Sequence, residues 1–347
     1  MPLVLTDAEV KQLLPLSLCI DTMQMTFGQF AEGRAVNRPR LRYTCPSTLD
    51  GMAYAANVHI GAVPGAGVAV VRVGSYLRPD QTNQERREKS PTAQRRSTSL
   101  VYLYSLETTE LVCILPEHAL DARVGATTAV AARYLARPHA RTLGLFGTGN
   151  HARYSLPALL KTVESIEEVR VYSPNPSHRQ TFVGQMRTQL DRPIKEVAEP
   201  REVVDGADIV ACATNSSRPI FPGDWLQPGQ LVTTIVSSDV VDLRTEVDET
   251  TFVRSDVIVL NDRESVAANG QRELLGPLEQ GKFGWDKVHE LGELVTGKFR
   301  AREQPDQLIY YKNNSGLGIQ FAALGGIAYQ RAREANIGRE IPADWLP

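Results

Sequence analysis

Residues 143–152 read Leu-Gly-Leu-Phe-Gly-Thr-Gly-Asn-His-Ala, which sets Gly147, Gly149 and Ala152 at the spacing G-x-G-x-x-A. The chemistry of such a turn is phosphate binding. The first glycine permits a tight turn, and the second lets the backbone approach a pyrophosphate. The small third residue lets a helix pack closely on the strand before it. The helix N-terminus adds free N–H groups and the positive end of its dipole. Thr148, Asn150 and His151 complete this candidate phosphate set.

A second stretch bears on which dinucleotide fits. Residues 171–179 read Val-Tyr-Ser-Pro-Asn-Pro-Ser-His-Arg. A site for NAD usually carries Asp or Glu at the end of this second strand, to hold the ribose hydroxyls. Here Ser173, Asn175, Ser177 and Arg179 stand there instead. Hydroxyls, an amide and a guanidinium suit a 2′-phosphate, so NADP(H) is preferred and NAD(H) is the alternative. Thr214 and Asn215 close another apolar run at the same carboxyl edge, where ligands of open α/β sheets bind. They are candidates for the nicotinamide side.

The elements that must position these residues follow from periodicity. A strand pattern at 142–146 precedes the glycines. After them Ala152, Leu156, Leu159, Leu160 and Val163 share one helical face, and a second strand ends at Tyr172. A helix at 177–189 and short apolar runs at 194–197, 208–212, 231–236 and 256–260 continue the alternation. Alternation of this kind predicts an α/β domain, a Rossmann-type doubly wound parallel sheet with helices on both faces, over 126–314.

Before residue 126 the texture differs. Thr6 and Glu9 fit a capping box, and a further helix is predicted over 20–31. Gly33, Pro39 and Pro46 interrupt the helical pattern. Tyr54, Ala56, Val58 and Ile60 then alternate on one strand face, and a turn through Gly61, Pro64, Gly65 and Gly67 leads to a strand at 68–77. Residues 80–97 read as a solvated charged loop, 99–105 as a strand and 111–115 as its hairpin partner. This is an α+β region with a largely antiparallel sheet. A long Ala-rich helix at 318–336 is expected to pack back on it, which makes a discontinuous second domain of 1–125 plus 315–347.

Composition removes several function classes. The 347 residues carry 38 Lys and Arg against 40 Asp and Glu, a formal net charge of −2. Nucleic acid as main partner is disfavoured, because phosphate backbones require a basic excess. Hydrophobic residues at 42% and charged ones at 22% are ordinary for a globular chain. No run of about 18 apolar residues is present, so no membrane span is expected. The first residues show no signal-peptide pattern. Cys19, Cys45, Cys113 and Cys212 form no C-x-x-C pair and read as reduced, which fits a cytoplasmic protein. No metal site is expected.

Longer stretches carry a resemblance. Residues 122–137, Ala-Arg-Val-Gly-Ala-Thr-Thr-Ala-Val-Ala-Ala-Arg-Tyr-Leu-Ala-Arg, run into Gly147-Thr-Gly149. With 207–215, 227–233 and 316–338 they resemble the ornithine cyclodeaminase / mu-crystallin family over nearly the whole chain. The resemblance implies a Rossmann domain beside a substrate-binding domain that mediates homodimerisation. It implies a nicotinamide cofactor and a small amino or imino acid as substrate. Arg123 matches the arginine that grips the substrate carboxylate, a task suited to a guanidinium fork. Arg40 matches a second substrate arginine, and Thr98 falls near a substrate-contacting threonine.

Two departures qualify what the resemblance implies. Arg72 stands where the family carries a lysine that contacts substrate and assists proton transfer. Arginine still holds a carboxylate, but it stays protonated and is a poor proton donor. The cyclodeaminase aspartate lies in a Gly-Gly-Asp segment. Here 234–246 lacks the glycines, Asp239 is the nearest match and Asp242 the second. Lys312, His118 and His151 are other candidate proton carriers. The leading expectation is an NADP(H)-dependent reductase of an imino acid, such as a cyclic ketimine, or an amino-acid dehydrogenase in reverse. A cyclodeaminase that recycles NAD and releases ammonia is the first alternative. A non-catalytic NADPH- or small-ligand-binding protein is the second.

Overall fold

The computed structural model describes residues 1–79, 97–236, 238–239, 243–314, 316–342 and 345. The charged run at 80–96, with Ser237, Asp242 and Ser315, lies outside the described residues. The chain divides into two compact units. One comprises Met1–Pro15, Gly33–Leu120 and Gly316–Pro347, and the other Leu16–Glu32 and Asp121–Ser315. The sequence-based division assigns residues 16–32 to the first region. Helix Leu16–Ala31 instead buries Cys19, Ile20, Met23 and Phe27 among the helices of the second unit. Gly292, in helix Leu291–Val295, makes room for it: a Cβ there would lie 2.6 Å from the Ala31 Cβ.

The first unit is built on a seven-stranded sheet. Its spatial order is Arg339–Glu340, Leu3–Val4, Leu111–Pro116, Ser97–Ser105, Val68–Pro79, Met52–Val63 and Val36–Pro46. Among the described residues, only Leu3–Val4 on Leu111–Pro116 is a parallel pairing in this sheet. Thr6 caps helix Asp7–Leu13 with the reciprocal Glu9 bond that the sequence predicts. Strand Val36–Pro46 escapes sequence reading because its prolines look like breakers. The structure tolerates them because the strand is an edge, and the register breaks between Arg38 and Leu41, around Pro39 and Arg40.

Helix Gly318–Ala335 packs on this sheet. The alternation of Tyr54, Ala56, Val58 and Ile60 is real, but Ile60 is exposed, while His59, Gly61 and Val63 on the opposite parity are buried. Two glycines explain the choice of face. A Cβ on Gly61 would lie 2.7 Å from backbone atoms of Gly318 and Ile319, and one on Gly318 would lie 2.0 Å from the Ile60 carbonyl oxygen. The helix therefore lies directly against the strand backbone.

The second unit holds an eight-stranded sheet. Its order is Val288–Glu290, Val257–Leu260, Ile309–Lys312, Leu231–Thr234, Ile209–Cys212, Thr142–Phe146, Glu168–Tyr172 and Ile194–Glu196. Every pairing is parallel, as the alternating pattern predicts. Strands Ile209–Cys212, Leu231–Thr234, Val257–Leu260 and Ile309–Lys312 are buried along their whole length, which suits a sheet covered on both faces. Strand order reverses between Thr142–Phe146 and Ile209–Cys212, the point where such sheets open a ligand crevice. Strand Ile309–Lys312 is an addition. Its tyrosines and lysine mask a fully buried run.

Candidate functional site

At that switch point the glycine turn takes its shape from two different constraints. Gly147 has φ +103, and a Cβ on it would lie 2.4 Å from the Ala213 carbonyl oxygen. Its N–H donates to the Tyr172 carbonyl at 2.9 Å, tying the turn to the neighbouring strand. Gly149 caps helix Asn150–Thr162 at φ −83, and nothing lies within 4 Å of where its Cβ would be. The first glycine is required by the fold, while the second borders open space. Ala152 is buried beneath the turn.

The turn opens into a cleft of about 950 Å³. Phe146, Tyr172 and Ile220 form its apolar wall, with Phe146 stacked on Phe221 at 5.3 Å. Gly147, Thr148, Gly149, Asn150, His151, Ser173, Thr214 and Asn215 all line it. Asn175, Ser177 and Arg179 are not among its lining residues. Asn175 is occupied as the cap of helix Pro176–Gln189, accepting from the His178 N–H at 3.2 Å. Arg179 donates to the Ser173 carbonyl at 2.5 Å and lies over the Tyr172 ring. The cleft instead includes His178, from the same stretch that the sequence singles out for a 2′-phosphate, and adds Arg218, which sequence reasoning missed. The only signal for Arg218 is its place in the loop after a switch-point strand. Among the described lining residues none is a carboxylate. An open second glycine, a helix N-terminus and two basic side chains fit a phosphate-bearing dinucleotide.

Behind the cleft lies a set of buried polar groups. Glu246 accepts from Thr214 on one strand end and from Ile235 and Val236 on the next. Burial pushes its carboxyl up, against those hydrogen bonds, which pull it down. Asp239 is buried just beyond the same strand end. Lys312 is 1% exposed, donates to Glu273 at 2.7 Å and to the Val236 carbonyl at 3.1 Å. It is held as a structural cation, not presented as a proton carrier. Arg123 is 5% exposed in the first turn of helix Ala122–Leu135 and lies 3.2 Å from Asp121.

In the first unit, Arg72 is the centre of a second polar cluster. Its guanidinium lies 3.4 Å from Glu117, from the Asn57 carbonyl and from the Ser99 hydroxyl, and 3.5 Å from His59 Nδ1. The expected threonine is adjacent: Thr98 is exposed, and Ser99 is the hydroxyl that reaches Arg72. Arg40 is half-buried within the register break of the edge strand, while Arg42 bonds Asn57 and Arg38 is exposed. His118 pairs with Asp7 at 3.3 Å and is largely exposed.

Comparison with known proteins adds to this geometry. The family model described as ornithine cyclodeaminase/mu-crystallin family matches residues 1–336. A protein of Sinorhizobium fredii named uncharacterized cyclodeaminase y4tK is 28% identical over 341 residues, covering 96% of this chain and 97% of its own. An alanine dehydrogenase of Archaeoglobus fulgidus is 25% identical over 349 residues, covering 98% of each chain. Among solved structures, Delta(1)-pyrroline-2-carboxylate reductase of Thermococcus litoralis, in complex with NADH and L-proline, superposes with a TM-score of 0.82. It is 24% identical and covers 98% of this chain and 100% of that one, a likeness of fold.

Proposed function

This chain belongs to the ornithine cyclodeaminase/mu-crystallin family, and from that premise we infer that it is a nicotinamide-dependent oxidoreductase acting at a carbon–nitrogen bond beside a carboxylate. Its substrate is a small imino acid, a cyclic ketimine or related imine, or the matching amino acid in reverse. The observation that carries this reading is the cleft lined by the glycine turn at residues 147–151, in a chain that matches that family over residues 1–336. The names of the alanine dehydrogenase and pyrroline-2-carboxylate reductase relatives support the reaction class.

NADP(H) is the preferred dinucleotide, supported by the absence of a carboxylate among the described lining residues and by His178 and Arg218 there. NAD(H) is the alternative, and NADH is named with the solved pyrroline-2-carboxylate reductase. The bound nicotinamide supplies or accepts the hydride. The protein binds and orients: Arg123 holds the substrate carboxylate, with Arg40, Arg72 and Thr98 as further substrate contacts. Thr214 and Asn215 border the nicotinamide side of the cleft. Asp239 handles the proton at the substrate nitrogen, since Arg72 cannot release one. The unit of Met1–Pro15, Gly33–Leu120 and Gly316–Pro347 serves as substrate-binding and dimerisation domain, and the protein works as a homodimer. Unbridged cysteines support a reducing, cytoplasmic setting, and no helix among the described residues is long and apolar enough to cross a membrane.

Purified protein assayed by NADPH and NADH absorbance tests this, with a panel of cyclic imines and of 2-oxo acids with ammonia or methylamine. Oxidation of NADPH by one class supports the reading. Ammonia release from ornithine or lysine, with no net change in NAD, would replace it with the cyclodeaminase reading that buried Asp239 and the cyclodeaminase-named relative favour. Saturable NADPH binding with no turnover on any amino or imino acid would favour a binding protein.

A further inference from the structure

Asp121 stands at the start of helix Ala122–Leu135 and is buried. Its Oδ1 lies 3.2 Å from Arg123 Nη1, and its Oδ2 accepts a hydrogen bond from Asn150 Nδ2. Asn150 is the first residue of helix Asn150–Thr162 and lines the dinucleotide cleft between Gly149 and His151. One carboxylate therefore holds, with its two oxygens, the arginine assigned to the substrate and the amide that borders the phosphate turn. An ionised carboxylate is an acceptor only, so both donors are satisfied without competing for a lone pair.

The backbone around this bridge is fixed. A Cβ on Gly125 would lie 2.5 Å from the Tyr154 carbonyl, so the two helices cross with their backbones in contact. Asn313 Nδ2 donates to the Val124 carbonyl and to the Thr128 hydroxyl, each at 2.9 Å, and pins the same helix from the end of strand Ile309–Lys312. With the helices locked, the freedom left is in the side chains of Asn150, Asp121 and Arg123.

We propose that Asp121 is a positioning residue that couples dinucleotide binding at the glycine turn to carboxylate binding at Arg123. The inference rests on the reading of the cleft as a dinucleotide site and of Arg123 as the carboxylate ligand. A phosphate that orders Asn150 orders Asp121, and through it the guanidinium. The rotamer freedom of the long arginine is then lost once, with the first ligand, and the second ligand binds to an ordered group. Coupling of this kind is reciprocal: the carboxylate tightens the dinucleotide by the factor by which the dinucleotide tightens the carboxylate.

The test is a fluorescence titration of the full-length protein with NADPH and with NADH, alone and in saturating pyrrole-2-carboxylate, and the reverse titration. Native protein should show a mutual tightening of about tenfold. Asp121→Asn should reduce that factor to under about twofold while each ligand alone stays within about threefold of native. Asn150→Ala breaks the bridge at an exposed residue, which spares the core. Because Asn150 also lines the cleft, dinucleotide affinity falls with it, and the reading is the ratio, which should drop under about twofold while carboxylate affinity without dinucleotide stays within about threefold of native. A merely structural role would lower the melting temperature and weaken each ligand alone, leaving the ratio intact. Coupling that persists in either variant, or is missing from native protein that binds both ligands, overturns the proposal and leaves the oxidoreductase reading standing. Native protein that binds neither dinucleotide overturns both.

Discussion

Glu246 Oε1 accepts both the backbone N–H and the hydroxyl of Thr214, at 2.7 and 2.8 Å. Its other oxygen accepts from Ile235 and Val236 at 2.8 and 3.2 Å, so one side chain closes the ends of two adjacent parallel strands at the cleft edge. Burial raises the Glu246 pKa above the ordinary 4.5, outweighing the hydrogen bonds that lower it. The folded chain thus holds this proton more tightly than the unfolded chain. The stabilising contribution is full below the unfolded value and is lost as pH rises through the raised folded one. Urea midpoints measured against pH should therefore show native protein gaining on Glu246→Gln as pH falls. Glu246→Ala removes the acceptor of three backbone N–H groups, two of them on the buried Ile235 and Val236, and should cost about 3–5 kcal/mol. A native-minus-Gln difference that is flat or grows toward neutral pH would sink this account.

Gly147 and Gly149 should respond oppositely to alanine. At Gly147 the methyl meets a backbone oxygen at 2.4 Å and the residue sits at φ +103, so Gly147→Ala should cost about 3 kcal/mol of stability. At Gly149 the methyl meets nothing within 4 Å, so stability should stay within about 0.5 kcal/mol. The same methyl occupies the space assigned to the pyrophosphate, and NADPH affinity should fall about tenfold or more. Thermal melts and dinucleotide titrations of the two variants separate these effects. Native-like affinity in Gly149→Ala would move the phosphates elsewhere.

These contrasts show where the sequence is legible. The glycine turn, the parallel strands from Thr142–Phe146 to Val257–Leu260 and helix Asn150–Thr162 are local patterns with one period each, and the structure has them where periodicity predicts. Strand Val36–Pro46 was hidden because a proline at an edge bulge breaks no ladder bond, a fact about neighbours. Arg179 looked like a phosphate ligand because its claim by the Ser173 carbonyl is a matter of rotamer. The buried partners of Glu246, Glu273 and Lys312 are illegible for a different reason. Lys312 and Glu273 stand 39 residues apart, and no spacing rule reports a pair formed by tertiary packing.

Gly74 provides the room in which the Arg72 guanidinium lies. A Cβ there would sit 2.6 Å from Arg72 Nη1 and 2.9 Å from its Cζ. The obstructed atoms are the far end of a flexible side chain, so Gly74→Ala should cost less than about 1 kcal/mol. It should nonetheless push the guanidinium away from Glu117 and Ser99. If Arg72 contacts substrate, KM should rise about fivefold or more with dinucleotide affinity unchanged, as for loss of a binding interaction. Arg72→Lys should raise KM similarly, because an ammonium cannot reproduce the guanidinium fork. An unchanged KM in both variants would remove Arg72 from the substrate site.

Lys312 and Glu273 form the reverse of the Glu246 case. Burial pushes the Glu273 carboxyl up, but the Lys312 charge and hydrogen bond pull it further down, and its pKa ends below the ordinary 4.5. Its contribution is therefore present above the unfolded value and lost as pH falls through the lowered folded one. In the same urea series, native protein should lose its advantage over Glu273→Gln on acidification, the slope opposite to that of Glu246→Gln. Lys312→Met leaves a buried carboxylate unpaired and should cost about 3–5 kcal/mol, most of it recovered in the double variant Lys312→Met with Glu273→Gln. The pair also holds the backbone that leads to Asp239, through the Val236 carbonyl at 3.1 Å and the Ser238 N–H at 3.3 Å. Amide exchange at Val236 and Ser238 should accelerate in the double variant even where global stability returns. Unchanged exchange there would mean that the pair stabilises the sheet without positioning the aspartate segment.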